Sequence, residues 1–129
     1  TLNGNPIAAT AGLATLSQLR KPDTYQRLRA AGQRLRRGLQ EALDQAEIPA
    51  QVVGDDTVFD VYFTDRAITD YRSTLSADPA LMQRFNRFLL ERGILKGVQK
   101  FYMSLAHTEE DIQRTLEVFR ETAEHLRAT

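Results

Sequence analysis

The amino-acid sequence predicts an α+β fold, a small and mainly antiparallel sheet with helices packed on one face. Two observations carry this prediction. Within residues 51–63, two β-rich runs lie on either side of a Gly-Asp-Asp turn, which is typical of a hairpin. Before and after it, apolar residues recur at spacings of three and four, which is typical of amphipathic helices. The 129 residues amount to one domain, in which helices around one hairpin bury their apolar stripes against one face of its sheet.

The first predicted helix begins at Asn5-Pro6, because proline is tolerated in a first helical turn, and it ends near Arg20, before Lys21-Pro22. Small residues occupy several of its sides: Ala8, Ala9, Ala11, Gly12 and Ala14. Other elements can approach such a surface closely. We therefore expect this helix to be wedged against other elements rather than displayed to solvent.

A second helix is predicted to begin at Asp23, which forms a capping pair with Gln26. Its apolar stripe consists of Tyr25, Leu28, Gly32, Leu35, Leu39, Ala42 and Ala46. The opposite surface carries Arg27, Arg29, Arg34, Arg36 and Arg37. These arginines could bind an anion, but no aromatic residues lie between them. We predict a solvated helix face.

Period-two alternation organises the second strand of the predicted hairpin. Phe59, Val61 and Phe63 should face the core, and Val58, Asp60 and Tyr62 the other side. Residues 64–77 are polar and irregular, and we expect a loop with short helical pieces there.

Asp78-Pro79 begins a third helix that ends at Gly93. Its stripe of Leu81, Met82, Phe85, Phe88 and Leu89 is expected to be core rather than a cofactor site. Residues 94–106 should supply further strand. Residues 108–111 should cap a last helix, whose apolar positions are Ile112, Leu116, Phe119, Ala123 and Leu126.

Composition limits the class of function. Seventeen basic and seventeen acidic residues cancel, so no nucleic-acid or membrane partner is predicted. No apolar run is long enough to cross a bilayer. Without cysteine there can be no disulfide, cysteine nucleophile or thiolate metal site, which fits a cytoplasmic protein. The sequence has no phosphate-binding loop, dinucleotide fingerprint, metal-spaced histidine pair or nucleophile elbow, and we expect no metal site.

Four side chains could carry chemistry. His107, at a strand-to-helix junction, could act as an acid or base, but a structural hydrogen-bonding role is expected; His125 should lie on the surface. Lys96 and Lys100 lie in a strand-rich segment, where a buried lysine can form a Schiff base. We expect both lysines to be solvated instead.

Two motifs resemble a known family. Thr1-Leu2-Asn3-Gly4-Asn5-Pro6, followed by an alanine-rich helix, resembles the Thr-x-x-Gly-Asn-Pro segment of class III (subgroup II) pyridoxal-phosphate aminotransferases, in particular the glutamate-1-semialdehyde 2,1-aminomutase subgroup. Residues 104–112, Ser-Leu-Ala-His-Thr-Glu-Glu-Asp-Ile, resemble the last strand and helix of that subgroup. The resemblance spans essentially the whole chain.

The resemblance implies the C-terminal small domain of a fold-type I enzyme. Residues 1–20 would be a turn and helix linking to a large domain that binds pyridoxal 5'-phosphate (PLP) and is absent from this chain. Residues 21–129 would be the small domain. We therefore expect this chain to be the C-terminal piece of a larger cytoplasmic protein, a homodimer that transfers an amino group between an amino acid or amino-aldehyde and a carbonyl acceptor.

The cofactor-binding lysine of this family lies upstream of the Thr-x-x-Gly-Asn-Pro turn. The chain alone should therefore be inactive and hold no catalytic residue. The family's turn threonine, which corresponds to Thr1, contacts the phosphate of the PLP bound by the other subunit. A hydroxyl and backbone N–H groups at a positive helix start suit a phosphate, and Gly4 would allow the turn.

The substrate-binding expectation rests on a departure from the aminomutase pattern. That subgroup carries Pro-Ser-x-Phe-Glu before Ser-Leu-Ala-His, whereas residues 97–103, Gly-Val-Gln-Lys-Phe-Tyr-Met, lack the proline and glutamate. Both mutase and transaminase activities therefore stay open. Related transaminases of β-amino acids place a basic side chain here to hold a substrate carboxylate, a role that Lys100, or else Lys96, could fill.

Two other functions remain possible. The chain could be a stand-alone α+β interaction module that uses its arginine-bearing helix, or a non-catalytic component of a split enzyme. The first helix discriminates between a module and a part of something larger. Exposure of Ile7, Leu13 and Leu16 would indicate that their cover lies outside this chain.

Overall fold

The structure, a computed structural model, describes residues 4–128 and confirms the α+β class. Its elements, in chain order, are α1 (Pro6–Leu19), α2 (Thr24–Gln45), β1 (Gln51–Asp55), β2 (Val58–Tyr62), α3 (Tyr71–Thr74), α4 (Pro79–Glu91), β3 (Phe101–Tyr102) and α5 (Glu109–Arg127).

The three strands form one antiparallel sheet in the order β1-β2-β3. Asp55 pairs with Val58, so the hairpin turn is Asp56-Thr57 rather than the predicted Gly-Asp-Asp. The side chain of Asp55 tightens this turn by accepting hydrogen bonds from the N–H and the hydroxyl of Thr57. The strand predicted over residues 94–106 is wrong in length, because most of that segment is irregular and only β3 pairs with β2.

One face of the sheet carries the core, as the alternation predicted. Phe59, Val61 and Phe63 are buried among residues of α2, α4 and α5. Phe101 of β3 stacks on Phe59 with ring centroids 5.0 Å apart and meets Phe119 of α5 edge-on at 5.6 Å. The aromatic stripe of α4 is also buried in the core, as expected.

The helix starts follow the predictions at α4 and α5 and depart from them at α2. The Asp78 side chain caps α4, and Thr108 and Asp111 form a capping box at the start of α5. The predicted Asp23 cap is wrong, since its side chain makes no capping hydrogen bond and its φ is 61°. Residues 20–23 form the turn between α1 and α2, and Asp23 adopts the left-handed conformation within it.

Helix α1 also departs from expectation, because none of its residues is buried. Ile7 is 81% exposed, Leu13 67% and Leu16 51%. The small residues are not wedged against other parts of this chain, since the sheet face and the remaining helices complete their own core without α1. Its apolar side chains are thus left in solvent.

Candidate functional site

The candidate site lies in the connection between α4 and β3 and in the two clefts beside it. One cleft, of about 330 Å³, is bordered by Lys96, Lys100, Tyr102 and the start of α5. A second, of about 290 Å³, lies over the outer face of the hairpin and also reaches Lys100. This connection carries both lysines that the sequence singled out.

Lys96 lies inside the protein, so the expectation that it is solvated is wrong. Its side chain is 1% exposed, and its Nζ lies 2.9 Å from Oδ1 of Asp60, whose side chain is 6% exposed. The same Nζ donates to the backbone carbonyls of Gly97 at 3.2 Å and Val98 at 3.4 Å. These oxygens occupy the three donors of an ammonium group, so Lys96 is not available to a substrate carboxylate.

Asp60 is a buried acid that the period-two pattern placed on the outer face without identifying its partner. Burial raises the pKa of Asp60 above its ordinary value, while the hydrogen bond and positive charge of Lys96 act against that shift. The N–H of Val61 also donates to Oδ1 of Asp60, at 3.0 Å. A lone acid within an apolar strand was the sequence signal for a buried partner, but only the fold brings Lys96 to it.

Lys100 differs from Lys96 in every respect that matters for binding. Its side chain is exposed, and within residues 4–128 its ammonium has no hydrogen-bond acceptor. Its charge nonetheless reaches Asp60 and acts to lower the pKa of that carboxyl group. Lys100 therefore presents a positive charge to both clefts.

The histidines have the predicted structural positions. His107 is exposed, and its Nδ1 accepts a hydrogen bond from the Ser104 N–H at 3.3 Å. Thr108 lowers the pKa of Asp111 through hydrogen bonds from its N–H and hydroxyl, and the charge of His107 contributes in the same direction. His125 is exposed and stacks on Phe88, with centroids 4.3 Å apart.

The arginine surface of α2 is solvated, as predicted, except that Arg36 is half-buried, and three of its arginines form ion pairs that the sequence did not predict. Arg34 binds both carboxylate oxygens of Glu109 at 2.7 Å, and this lowers the pKa of Glu109. Arg29 binds Asp55 at 3.0 Å, and Arg36 binds Asp56 at 2.9 Å. The tertiary structure places the hairpin turn and the start of α5 beside α2. These arginines therefore tie the helix to its own chain.

The start of α1 bears on the predicted phosphate contact. Thr1 lies outside the described residues. Gly4 has a φ of 76°, as the tight turn required. The Asn5 side chain accepts from the N–H groups of Ile7 and Ala8, so those donors already serve the helix cap.

Other kinds of site find no support in the part of the chain that the structure describes. Residues 4–128 contain no cluster of three or more histidine and acidic side chains placed to hold a metal ion. None of the helices in that range combines the length and the apolar character that crossing a bilayer requires.

Solved structures identify the class of protein. An omega-transaminase from Sphaerobacter thermophilus matches 100% of this chain, over 30% of its own, with a TM-score of 0.87 and 28% identity. A transaminase with PLP bound matches 98% of this chain, over 29% of its own, with a TM-score of 0.80 and 26% identity. A glutamate-1-semialdehyde aminomutase from Pseudomonas aeruginosa shares the fold over 88% of this chain and 26% of its own, at a TM-score of 0.77 and 18% identity. The architecture is that of one part of the transaminases.

Curated relatives of similar sequence are aminomutases. The glutamate-1-semialdehyde 2,1-aminomutase of Methanopyrus kandleri is 38% identical over 98% of this chain, and that of Thermus thermophilus is 42% identical over 94%. No family model matches the chain. The relatives confirm the resemblance: nearly the whole chain is similar to one segment of these aminomutases. It spans about 30% of the length of these relatives.

Proposed function

We propose that this chain is the C-terminal small domain of a PLP-dependent aminotransferase or aminomutase. Residues 1–20 link it to a PLP-binding large domain, and residues 21–129 close over one side of the active site. The observation that carries the proposal is the similarity to aminomutases over nearly the whole chain and only about 30% of their length. The exposed Ile7, Leu13 and Leu16 support it, because a large domain would cover such an apolar surface.

The reaction is the transfer of an amino group between an amino acid or amino-aldehyde and a carbonyl acceptor, in a cytoplasmic homodimer. PLP, when bound, carries the amine. The lysine that holds the cofactor is supplied by the large domain, since in the family that this chain resembles it lies upstream of the Thr-x-x-Gly-Asn-Pro turn. Lys96 is buried and hydrogen-bonded within this chain and does not take that role. Thr1 contributes its hydroxyl to the phosphate of the PLP in the partner subunit.

Within this domain, Lys100 binds the carboxylate of the substrate. Its ammonium is exposed at the edge of both clefts, and within residues 4–128 it has no competing hydrogen-bond acceptor. An ammonium is a sufficient point-charge partner for a carboxylate, although it lacks the paired donors of arginine. Lys100 thus orients the substrate and takes no part in moving protons.

The test uses the natural gene product that carries this sequence, purified at its full length. We expect a mass several times that of the 14.6 kDa chain, a chromophore that borohydride reduces, and amino-group transfer. The 129-residue chain alone is the control and should show neither chromophore nor turnover. A gene product with the mass of this chain, without chromophore or partner chain, would refute the proposal. A separate large chain that copurifies with it would instead indicate a split enzyme.

The role of Lys100 is tested in the same enzyme with Lys100→Gln. A charge-assisted hydrogen bond contributes about 1.5–3 kcal/mol, so KM for a carboxylate-bearing amino donor should rise by about 10- to 100-fold. Lys21→Gln is the matched control, because Lys21 is also exposed but lies between α1 and α2. An equal KM for wild type and Lys100→Gln would rule out this contact.

A further inference from the structure

The segment that carries Lys100 has little regular structure of its own. Between the end of α4 and the start of β3, residues 94–100 form no helix or strand. The chain instead folds back on itself: a Cβ added at Gly97 would lie 3.1 Å from the carbonyl oxygen of Lys100. A turn of this kind needs contacts from outside to hold one geometry.

Those contacts converge on one buried side chain. The Lys96 ammonium donates to the carbonyls of Gly97 and Val98, and thus binds the first half of the turn from within. Its third acceptor is Asp60 of β2, at 2.9 Å, which anchors the ammonium to the sheet. Asn86 of α4 adds a longer hydrogen bond, from Nδ2 to the Val98 carbonyl at 3.4 Å.

Burial makes this anchor stiff. The Lys96 ammonium is almost completely removed from water, so opening the turn would break its hydrogen bonds to the carbonyls of Gly97 and Val98 at a site where water cannot readily replace them. The ion pair therefore couples the first half of the turn to β2, while the second half continues directly into β3, and Lys100 follows Val98 by only two residues.

We propose that Lys96 is a positioning residue, which Asp60 holds in place so that the turn of residues 97–100 presents the ammonium of Lys100 to the clefts. The part of this inference that concerns substrate rests on the proposed function. Lys96 itself touches no substrate and acts through the backbone carbonyls that it binds. Lys96 thus orders the segment, and Lys100 binds the anion.

The first test measures ¹⁵N order parameters of residues 97–100 in the 129-residue chain. Wild type should show the values of a rigid backbone, about 0.85, and Lys96→Met should lower them below about 0.6 while β1 stays unchanged. Lys21→Met is the matched control and should alter none of these values. If Lys96→Met does not fold, Asp60→Asn, which removes only the anchor, should lower the same order parameters. A turn as rigid in the variants as in wild type, or a mobile turn in wild type, would overturn the inference.

The second test separates this inference from the proposed function by steady-state kinetics of the full-length enzyme. Lys96→Met should raise KM for a carboxylate-bearing donor about as much as Lys100→Gln, with kcat within about twofold, and the double variant should add little. An amine donor without a carboxylate should be unaffected. If Lys100→Gln raises KM but Lys96→Met neither loosens the turn nor changes KM, the positioning role is wrong and the proposed function stands. If Lys96→Met loosens the turn and Lys100→Gln has no effect, the ordering of the turn stands and the carboxylate contact is wrong.

Discussion

Gly32 allows the closest approach between α2 and the hairpin. Replacing it by alanine tests whether that approach is real. A Cβ at Gly32 would overlap the carbonyl oxygen of Asp56 and lie 2.6 Å from its carbonyl carbon. The overlap with the carbonyl oxygen is the deeper of the two, and non-bonded heavy atoms are rarely closer than about 3 Å, so the turn and the helix must separate by more than about 1 Å. The obstacle is backbone, which has no rotamer to change.

The expected change in the free energy of unfolding of Gly32→Ala follows from two opposing effects. Overpacking costs about 1–3 kcal/mol, and a clash with backbone belongs at the upper end of that range. Alanine gains about 1 kcal/mol over glycine in a helix interior. We therefore expect Gly32→Ala to lower the free energy of unfolding by about 2 kcal/mol.

Two further glycines provide matched controls. At Gly12 an added Cβ has no neighbour within 4 Å, so Gly12→Ala should raise the free energy of unfolding by up to about 1 kcal/mol. At Gly38 the added atom meets only the Cδ2 methyl of Leu116, and rotation of that side chain should leave the net change near zero. Urea unfolding of the 129-residue chain, followed by circular dichroism, measures all three. The reasoning is refuted if Gly32→Ala is as stable as Gly12→Ala at an unchanged m-value.

Four further predictions concern charge and burial. Lys96→Met should lower the free energy of unfolding, measured with urea, by about 3–5 kcal/mol, because it leaves Asp60 buried without its cation. Adding Asp60→Asn to this variant should restore much of the lost stability. Additive losses in the double variant would contradict a coupling between the two side chains. The pKa of Asp60 is raised in the folded state, so the Lys96→Met variant should lose stability as pH rises from about 4 towards neutrality, and a flat profile would be inconsistent with that shift. The pKa of Glu109 is lowered by its arginine partner on α2, so this carboxylate stabilises the fold above its unfolded-state pKa and loses that effect as pH falls. In thermal unfolding between pH 3 and 7, Glu109→Gln should therefore lose less stability towards acid pH than wild type. A loss of stability as steep as that of wild type would count against the ion pair. Leu13→Ser on the exposed face of α1 should change the free energy of unfolding of the chain by less than about 0.5 kcal/mol, whereas Leu39→Ala in the core should cost about 2–5 kcal/mol, and a large effect of Leu13→Ser would mean that α1 is packed within this chain.

Local patterns predicted the candidate site only in part. The resemblance drew attention to residues 97–103, and Lys100 proved to be exposed there, at the edge of two clefts. From the sequence, Lys96 is expected to be solvated like Lys100, because both lysines lie in one segment that is predicted to be rich in strand. Their environments differ because the turn at Gly97 folds over one side chain and leaves the other in solvent.

The arginines of α2 illustrate the same limit. A polar helix face is readily identified from its spacing, and four of the five arginines are exposed, while Arg36 is half-buried. Which of them meets a carboxylate depends on residues far away in sequence, such as Glu109 for Arg34. An ion pair between distant residues has no local signature, so the pattern predicted the face and missed its partners.

The sequence by itself determined the helices, the hairpin, the inward-facing Phe59, Val61 and Phe63, and the capping box at Thr108, because periodicity and end signals act within a few residues. The tertiary structure alone decided that Asp60 and Lys96 meet in the interior, that α1 remains uncovered, and that Asp23 turns the chain instead of capping α2. Each of these depends on where separate elements come to lie in space. Burial and pairing are properties of that arrangement, since the free energy of a charge or an apolar side chain is set by its neighbours after folding.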